Sequence, residues 1–238
     1  MTQHQLEQSR CGLIPEDNPP EFFAKHLSAY HFARPAARGR KVLEVGFGDG
    51  YGMHYLAAGG AAEVWGLDIA PENIPLARQK YPDPRLRFIH FDGARFPFED
   101  GLFDVVCTFQ VIEHIPLPAM NDWLAEIRRV MKSGGELYVS TLNLANAQKP
   151  GSPYQKSADH EKEFTAPELE STLKQAFKDV HLHGLYYSPG HRVFRRLKKW
   201  GLAGLPPVRA HFAGVTVDDF RVRAGDARRS IDLIAVCR

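Results

Sequence analysis

Short apolar runs alternate with amphipathic segments along most of the chain, beginning near residue 40. The runs KVLEV, AEVWGLD, LRFIHF, FDVVCTF and GELYVST have the length of buried strands, and helical patterns such as YGMHYLAAGG, ENIPLARQKY and PAMNDWLAEIRRVMK separate them. A further helix, TAPELESTLKQAF, and two further strands, DVHLHGLYY and SIDLIAVCR, follow. Strands that alternate with helices are typical of a largely parallel sheet with helices on both faces. The pattern therefore predicts an α/β fold with seven strands.

Two segments fall outside this alternation. The opening helix candidate, PEFFAKHLSAYHFA, precedes the first strand, and we interpret residues 1–39 as a helical cap on a domain that spans residues 40–238. Open α/β sheets bind ligands beyond the carboxyl ends of their strands, so this helix is expected to cover part of the site. A basic insertion at about residues 187–230 separates the last two strands, and its start, HRVFRRLKKW, is typical of a basic amphipathic helix.

Composition limits the setting of the protein. The chain has 238 residues, 44% of them hydrophobic, which is enough for one domain with a substantial core. The three cysteines are far apart and form no C-x-x-C pair, which favours a reducing setting over a disulfide framework or a metal–sulfur site. No apolar run approaches the roughly 18 residues of a membrane span, and the polar N-terminus lacks a signal-peptide core. We expect a soluble, cytoplasmic protein.

Charge is unevenly distributed, although the net charge is only +2. From residue 187 to the end there are 11 Lys/Arg against 4 Asp/Glu, so the rest of the chain is acidic. A basic C-terminal part is typical either of a surface that meets an acidic ligand or of an ordinary solvated face. No base-reading motif accompanies it, so a nucleic-acid partner is not expected.

The stretch VLEVGFGDGYG places four glycines at alternate positions directly after the first predicted strand. Glycine-rich turns in this position commonly bind nucleotide phosphates. A dinucleotide fingerprint, however, needs glycine at its sixth position, where this loop has Tyr51. The carboxylates of Glu44 and Asp49 would repel a pyrophosphate and favour a cation. A ligand that carries ammonium and sulfonium groups fits this polarity.

On these residues the sequence resembles the class I S-adenosylmethionine-dependent methyltransferases, most closely the small-molecule group typified by ubiquinone and menaquinone methylation. The resemblance implies a Rossmann-like, seven-stranded, mostly parallel sheet with the last strand antiparallel. It also implies S-adenosylmethionine as the cofactor and S-adenosylhomocysteine as its product. The glycine loop resembles the family's E/D-x-G-x-G-x-G motif, which assigns cofactor binding to Glu44, Gly46, Gly48 and Gly50, with Glu44 organising the methionine end.

Three further pairs of residues follow predicted strands and resemble cofactor-binding positions of the family. They are Asp68 with Ile69, Asp92 with Gly93, and Gln110 with Val111. In the family, the first aspartate binds the ribose hydroxyls, the second binds the adenine amino group, and the third segment lines the methionine moiety with its backbone. The alternatives are a helix N-cap for the first aspartate and an ordinary turn residue for the second.

Glu113 and His114 follow in the segment FQVIEHI. In some relatives a carboxylate-rich version of this segment holds a divalent metal. Gln110 stands here where a further carboxylate would be expected. We therefore expect structural roles for Glu113 and His114 and no bound metal.

The segment STLNLANAQKPGSPYQKSADHEKEFTAPEL resembles a connection in bacterial methyltransferases that act on sugars of cell-surface glycans. In those enzymes a histidine shortly before a helix start faces the acceptor. Asn143 and His160 match the two characteristic positions, and Leu142 stands where the relatives have proline. Because histidine suits a general base near pH 7, we predict His160 as the base, with His26 and Tyr30 as secondary candidates. A solvated loop histidine is the alternative.

The resulting prediction is an enzyme that moves a methyl group to a hydroxyl oxygen of a small polar acceptor, such as a sugar or an acidic metabolite. Transfer to nitrogen or carbon, or a catalytically silent cofactor-binding partner subunit, are the alternatives. For the insertion we predict an acceptor-side lid in which Phe194, Leu197 and Trp200 pack on the domain. A helix bound to a membrane surface is the alternative.

Overall fold

The computed structural model describes residues 12–91, 93, 95–148, 153–225 and 227–238. The strands are β1 (Lys41–Val45), β2 (Glu63–Asp68), β3 (Leu86–His90), β4 (Phe103–Phe109), β5 (Met131–Leu142), β6 (Val180–Tyr187), β7 (Phe220–Ala224) and β8 (Asp232–Cys237). The α-helices are α1 (Pro20–Ala37), α2 (Tyr51–Ala58), α3 (Asn73–Lys80), α4 (Met120–Val130), α5 (Leu144–Ala147), α6 (Ala166–Leu173), α7 (Pro189–Lys199) and α8 (Pro206–Ala213).

The described strands form one sheet in the order β3-β2-β1-β4-β5-β8-β6-β7. β1 to β5 pair with one another in parallel, whereas β8 is antiparallel to both β5 and β6. The predicted α/β fold with a mostly parallel sheet and an antiparallel final strand is therefore confirmed. The predicted count of seven strands is wrong, because β7 adds an eighth at the edge, antiparallel to β6.

The additional strand β7 lies within the segment that the sequence predicts to be a basic insertion. Its sequence, FRVRA, alternates apolar and charged residues, and Phe220 is buried while Arg221 and Arg223 are exposed. Strict alternation is the pattern of a strand with one solvated face. This signal was available in the sequence, but the charge of the segment obscured it.

Buried residues on the two faces of the sheet form two separate hydrophobic clusters, because successive side chains of a strand point to opposite faces. On β1, Val42 belongs to the first cluster and Leu43 to the second. The first cluster includes Tyr30 of α1 and Leu56 of α2, and the second includes Leu124 of α4. Helices thus cover both faces, and α1 packs on the same face as α2.

The first α-helix, α1, begins with Pro20, which suits a first helical position because its missing N–H has no partner there anyway. α1 packs in the same cluster as β1, and the predicted boundary between a cap at 1–39 and a domain from residue 40 stays a prediction. Among the described residues, no helix has both the length and the apolar character that crossing a membrane requires.

Candidate active site

A cavity of about 560 Å³ opens where β1 and β4 end. In open α/β sheets this edge is the usual place for ligands. The wall is formed by the glycine loop, by α1, by the segment after β4 and by the segment before α6. Its lining includes Gly46, Gly48, Asp49, Phe22, Lys25, His26, Tyr30, Gln110, Glu113, His114, Asp159 and His160. The fold therefore brings together residues from both the predicted cofactor end and the predicted acceptor end.

The loop between β1 and α2 requires its glycines for conformation. Gly46, Gly48 and Gly50 have φ angles of +79°, +55° and +90°, in the region that disfavours other residues. A Cβ atom at Gly46 would lie 2.5 Å from Cγ2 of Val111. The loop and the segment after β4 are therefore in direct contact beside the cavity.

Glu44 on β1 is fully buried, and Tyr30 of α1 donates a hydrogen bond to its Oε1 atom. Its Oε2 atom has no hydrogen-bond partner among the described residues. Burial is the main cause that raises the pKa of Glu44 to about 8; the bond from Tyr30 opposes this shift, and the charge of Asp68 adds to it. A buried carboxylate without a counter-charge is stabilised by a nearby cation. This carboxylate is therefore suited to an ammonium group, although Glu44 itself is not part of the cavity lining.

Asp49, the second carboxylate of the loop, is already paired. Its carboxylate lies 3.1 Å from Nζ of Lys80 and accepts a hydrogen bond of 2.6 Å from the Tyr81 hydroxyl. The chain itself compensates this charge. The argument for a cationic ligand thus rests on Glu44 and not on Asp49.

Asp68, at the end of β2, is buried and ties the glycine loop to the segment that follows β2. Its carboxylate accepts hydrogen bonds from Gly48 N at 2.7 Å, Ala70 N at 2.9 Å and Asn73 Nδ2 at 3.2 Å. Burial raises its pKa in spite of these bonds. Asp68 is not part of the cavity lining. Among the described residues, its Oδ2 atom accepts the bond from Gly48 alone, and a carboxylate oxygen has room for a further donor.

The other predicted cofactor positions differ in their placement. Ile69 is 69% exposed, and Gly93 is also exposed, with φ of +97°. Asp92 lies outside the described residues. Gln110 lines the cavity with φ of +57°, an unusual conformation for a residue other than glycine that often accompanies a functional constraint. Val111 contacts the glycine loop, as described above.

His160 lines the cavity and is held by Glu163. Its Nδ1 atom lies 2.7 Å from Oε1 of Glu163, and the other carboxylate oxygen of Glu163, Oε2, accepts a hydrogen bond from the Tyr154 hydroxyl. Burial alone would raise the pKa of Glu163, but the bonds from Tyr154 and His160 outweigh it and lower the pKa. An ionised carboxylate at Nδ1 keeps the proton there and leaves Nε2 as an acceptor.

Sequence analysis missed Glu163, the partner of this histidine, and Tyr154, which donates to Glu163. Glu163 follows His160 by three residues in HEKE, and this local spacing was the available signal. Tyr154 had no comparable signal. Asn143, which the sequence matches to the characteristic position at the end of the strand, is fully buried, and its Nδ2 donates to the carbonyl groups of Ala227 and Ser230 at 3.0 and 2.9 Å. It fastens the end of β5 to the segment before β8.

His26 and Tyr30 line the same cavity, but their surroundings disfavour proton acceptance. Burial, followed by the charge of Lys25, lowers the pKa of His26 to about 3, although the carbonyl of Phe22, 2.9 Å from Nδ1, opposes this shift. Burial and the charge of Glu44 raise the pKa of Tyr30 well above its ordinary value. Of the three predicted bases, His160 has the most suitable environment.

Glu113, His114 and His160 each place a potential metal ligand atom within 4.8 Å of the others. Oε2 of Glu113 is buried without a hydrogen-bond partner among the described residues, and burial raises the pKa of this carboxyl. Nδ1 of His114 lies 2.9 Å from the carbonyl oxygen of Asp159, which leaves its Nε2 atom for a ligand. One carboxylate and two imidazoles could hold a divalent cation. The expectation of no metal stays a prediction.

The insertion is attached to α1 and does not cover the cavity. Glu21 of α1 pairs with Arg195 and lies 3.0 Å from Nε2 of His191, both on α7. Phe194 is half-buried, but Trp200 is 71% exposed, so the prediction that Trp200 packs on the domain is wrong. None of the described residues of α7, α8 and β7 belongs to the cavity lining. The predicted lid role therefore has no support in this geometry.

Known proteins resemble this chain in sequence and in fold. The family model described as "Methyltransferase domain" matches residues 43–139. A probable S-adenosylmethionine-dependent methyltransferase from Mycobacterium tuberculosis is 34% identical over 232 residues, covering 90% of this chain and 82% of that protein. A ubiquinone biosynthesis O-methyltransferase from Xanthomonas campestris pv. campestris is 33% identical over 180 residues, covering 67% and 72%. A solved S-adenosylmethionine-dependent methyltransferase from Mesorhizobium loti has a TM-score of 0.61 at 14% identity, covering 90% and 98%.

Enzymes with different cofactors share a mostly parallel Rossmann-like sheet with a glycine loop after its first strand. The similarity to the Mycobacterium tuberculosis protein over 90% of this chain identifies the class. The chain belongs to the class I S-adenosylmethionine-dependent methyltransferases. The predictions of an enzyme and of S-adenosylmethionine as its cofactor are confirmed. The narrower resemblance to ubiquinone and menaquinone methylation stays a prediction.

Proposed function

We propose that this enzyme transfers a methyl group to a hydroxyl oxygen of a small, neutral, polar acceptor such as a sugar, with His160 as the general base. The observation that carries the proposal is the His160–Glu163 pair, 2.7 Å apart, in the wall of the cavity that the glycine loop also lines. A hydroxyl must lose its proton as it is methylated, so a histidine held in one tautomer supports an oxygen nucleophile. The Xanthomonas relative is likewise named an O-methyltransferase.

The cofactor end of the cavity is assigned to the glycine loop. When bound, the cofactor supplies a methyl group already activated by the sulfonium, so the task of the protein is chiefly positioning. The unpartnered Oε2 atom of Glu44 would receive the ammonium group, and Gly46, Gly48 and Gly50 would admit the methionine part. The remaining assignments follow the strand ends: Asp68 for the ribose, Ile69, Asp92 and Gly93 for the adenine side, and Gln110 and Val111 for the methionine wall.

The acceptor end is more suited to a neutral molecule than to an acidic one. Lys80 compensates the charge of Asp49, which leaves Glu113 and Asp159 as the other carboxylates of the lining. Lys25, the cation of the lining, is itself 3.3 Å from Asp232. Such a lining favours a cationic cofactor and disfavours an acceptor with a phosphate or carboxylate. This supports the sugar-like part of the sequence-based prediction and weighs against the acidic part.

In the proposed reaction a bound cofactor would give its methyl group to the acceptor oxygen and leave as S-adenosylhomocysteine. The hydroxyl proton passes to Nε2 of His160, and the Glu163 carboxylate stabilises the imidazolium that forms. We place the reaction in the cytoplasm, since Cys107 and Cys237 are unpaired and buried.

The test is a screen of hydroxylated acceptors with S-adenosylmethionine, in which S-adenosylhomocysteine is quantified and the methylated atom is located by mass spectrometry of the product. Oxygen-methylated products are expected. Products methylated on nitrogen or carbon would contradict the oxygen assignment. Cofactor binding without turnover on any acceptor would instead favour a silent partner subunit.

A further inference from the structure

Helix α7 and the turn after it present an apolar face to solvent. Val193 is 53% exposed and Trp200, seven positions later, is 71% exposed. Positions seven apart lie on nearly the same side of an α-helix. Leu202 and Leu205, in the turn that follows, are also exposed, by 37% and 45%. Four large apolar side chains exposed within one short segment indicate a surface that another molecule covers.

Basic side chains flank this apolar face. A shallow basin of about 450 Å³ is lined by Tyr187 and by five basic residues, namely Arg192, Arg195, Arg196, Lys198 and Lys199. Helical geometry places Arg192, Arg196 and Lys199 on the flank of the Val193–Trp200 face. The sequence from residue 187 to residue 217 contains no Asp or Glu. The surface is therefore both apolar and strongly cationic.

The opposite side of α7 is fixed to the protein. His191 is fully buried, with Nε2 3.0 Å from Oε1 of Glu21 on α1 and Nδ1 2.8 Å from Nε2 of His211 on α8. The ring of Phe194 stacks on that of His211, with centroids 4.0 Å apart. Because these contacts hold the inner side of the helix, its apolar and basic side remains directed outward.

The apolar face together with the cations beside it indicates which kind of ligand this helix binds. A small anion or a nucleic acid would use the cations and leave Val193, Trp200 and Leu202 in water. At the surface of an anionic bilayer, the apolar side chains enter the headgroup region while guanidinium and ammonium groups meet lipid phosphates. The exposed apolar residues therefore favour a lipid surface.

We propose that residues 189–205 dock the protein peripherally on an anionic lipid bilayer. Glu21, which pairs with Arg195 of α7, is directly followed by Phe22, a cavity-lining residue that is 43% exposed. α7 thus adjoins, through α1, a wall of the cavity, and the docked helix lies between Glu21 and the bilayer surface. The docking itself does not depend on the proposed base or on the proposed acceptor.

The experiment is co-sedimentation of the full chain with phosphatidylcholine vesicles that contain or lack phosphatidylglycerol, at low and at high salt. The protein should sediment with the phosphatidylglycerol vesicles, and less so at high salt because surface charges are then screened. Trp200→Ser, and separately Arg196→Glu with Lys199→Glu, should each weaken this binding by about tenfold or more. Tryptophan emission should shift to shorter wavelength on vesicle addition, and Trp200→Phe should remove the shift.

A matched control changes two exposed cations elsewhere. The double variant Arg128→Glu with Lys178→Glu alters the same number of charges. Arg128 lies on α4 and Lys178 shortly after α6. The buried residues of these two helices belong to the second hydrophobic cluster, whereas those of α1 belong to the first. This control should bind vesicles like the unchanged protein, and all variants should bind S-adenosylhomocysteine with unchanged affinity. No binding of the unchanged protein to phosphatidylglycerol vesicles at low salt, or an equal loss in the control, would overturn the proposal. Binding to nucleic acid in place of vesicles would also overturn it. Vesicle binding without methyl transfer would contradict only the proposed function.

Discussion

Tyr30 of α1 donates a hydrogen bond to the buried carboxylate of Glu44 on β1. The same phenol ring packs against the start of α2, where a Cβ atom added to Gly52 would lie 2.0 Å from Cε1 of Tyr30. The opening helix is thus held against the glycine loop both by a polar contact and by close packing. This contact connects the element that covers the cavity with the carboxylate proposed to bind the cofactor.

Binding of S-adenosylmethionine should release a proton near neutral pH. With a pKa of about 8, the Glu44 carboxyl is largely protonated at neutral pH in the cofactor-free protein. A bound cation favours the ionised form, so the carboxyl loses its proton on binding. Calorimetry in buffers of different ionisation enthalpy should show release approaching about one proton near pH 7. Glu44→Gln should abolish the release and weaken binding by about tenfold or more, because a charge-assisted contact is lost. Unchanged proton release in this variant would contradict the assignment of the ammonium to Glu44.

The stability of the cofactor-free protein should decrease toward alkaline pH. The pKa of Glu44 is raised from 4.5 to about 8 on folding, so its contribution is fully present below the unfolded pKa and is lost as pH rises through about 8. Between about pH 5 and pH 9 this change is on the order of 4 kcal/mol in the free energy of unfolding. Chemical unfolding should show a flatter pH dependence in Glu44→Gln. Parallel pH profiles for the two proteins would refute the raised pKa.

Gly52→Ala should destabilise the protein by about 1 to 3 kcal/mol, because the new methyl group would overlap the Tyr30 ring. The effect should shrink in a Tyr30→Ala background, where the ring is absent, and thermal or urea unfolding of the four proteins measures the coupling. Gly190→Ala is the matched control: this glycine also lies in a helix, but nothing is within 4 Å of its added Cβ. The control should be neutral or slightly stabilising. Equal destabilisation by both alanines would contradict the proposed contact.

The sheet could be predicted because each central strand is a local apolar run, as FDVVCTF shows for β4. β7 was not predicted, because an edge strand with arginines on its solvated side resembles a charged loop. Its alternation of Phe220 and Val222 with arginines was nevertheless a local signal.

The candidate site was predictable only where its residues are close in sequence. The glycine loop and His160 belong to recognisable segments. The hydrogen bond from Tyr30 to Glu44 spans 14 residues and the pair of Lys80 with Asp49 spans 31, so both depend on where helices pack rather than on local pattern. The exposure of Trp200 was likewise unpredictable, because an amphipathic helix pattern does not say whether its apolar side faces protein or another surface.

Asp68→Asn should weaken binding of S-adenosylhomocysteine by at least about tenfold, because the amide offers one acceptor oxygen where the carboxylate offers two. The substitution should also lower the melting temperature, since Gly48 and Ala70 donate to different oxygens of this carboxylate. Calorimetry and thermal unfolding measure the two effects. Glu72→Gln, a neighbouring carboxylate in the same connection, should leave the affinity within about threefold. Unchanged affinity in Asp68→Asn would refute the ribose assignment.

His160→Gln should lower kcat by about a hundredfold or more, since the acceptor proton loses its base, while S-adenosylhomocysteine affinity stays nearly unchanged. Glu163→Gln should lower kcat by about tenfold or more, because the imidazole loses the carboxylate that orients it. Steady-state kinetics on the acceptor found by the screen measures both. His181→Gln, an exposed histidine on β6 outside the cavity lining, is the control and should retain activity. Activity within about threefold in His160→Gln would exclude a base role.

Chelation separates a base from a metal ligand at the same histidine. If His160 acts only as a base, treatment with a chelator should leave kcat within about twofold, and no divalent cation should increase it. If Glu113, His114 and His160 instead hold a required cation, the chelator should abolish turnover and added Mg²⁺ or Zn²⁺ should restore it. In that case Glu113→Gln would remove activity as completely as His160→Gln. As a base at Nε2 needs only the pairing of Nδ1 with Glu163, we expect the chelated enzyme to remain active.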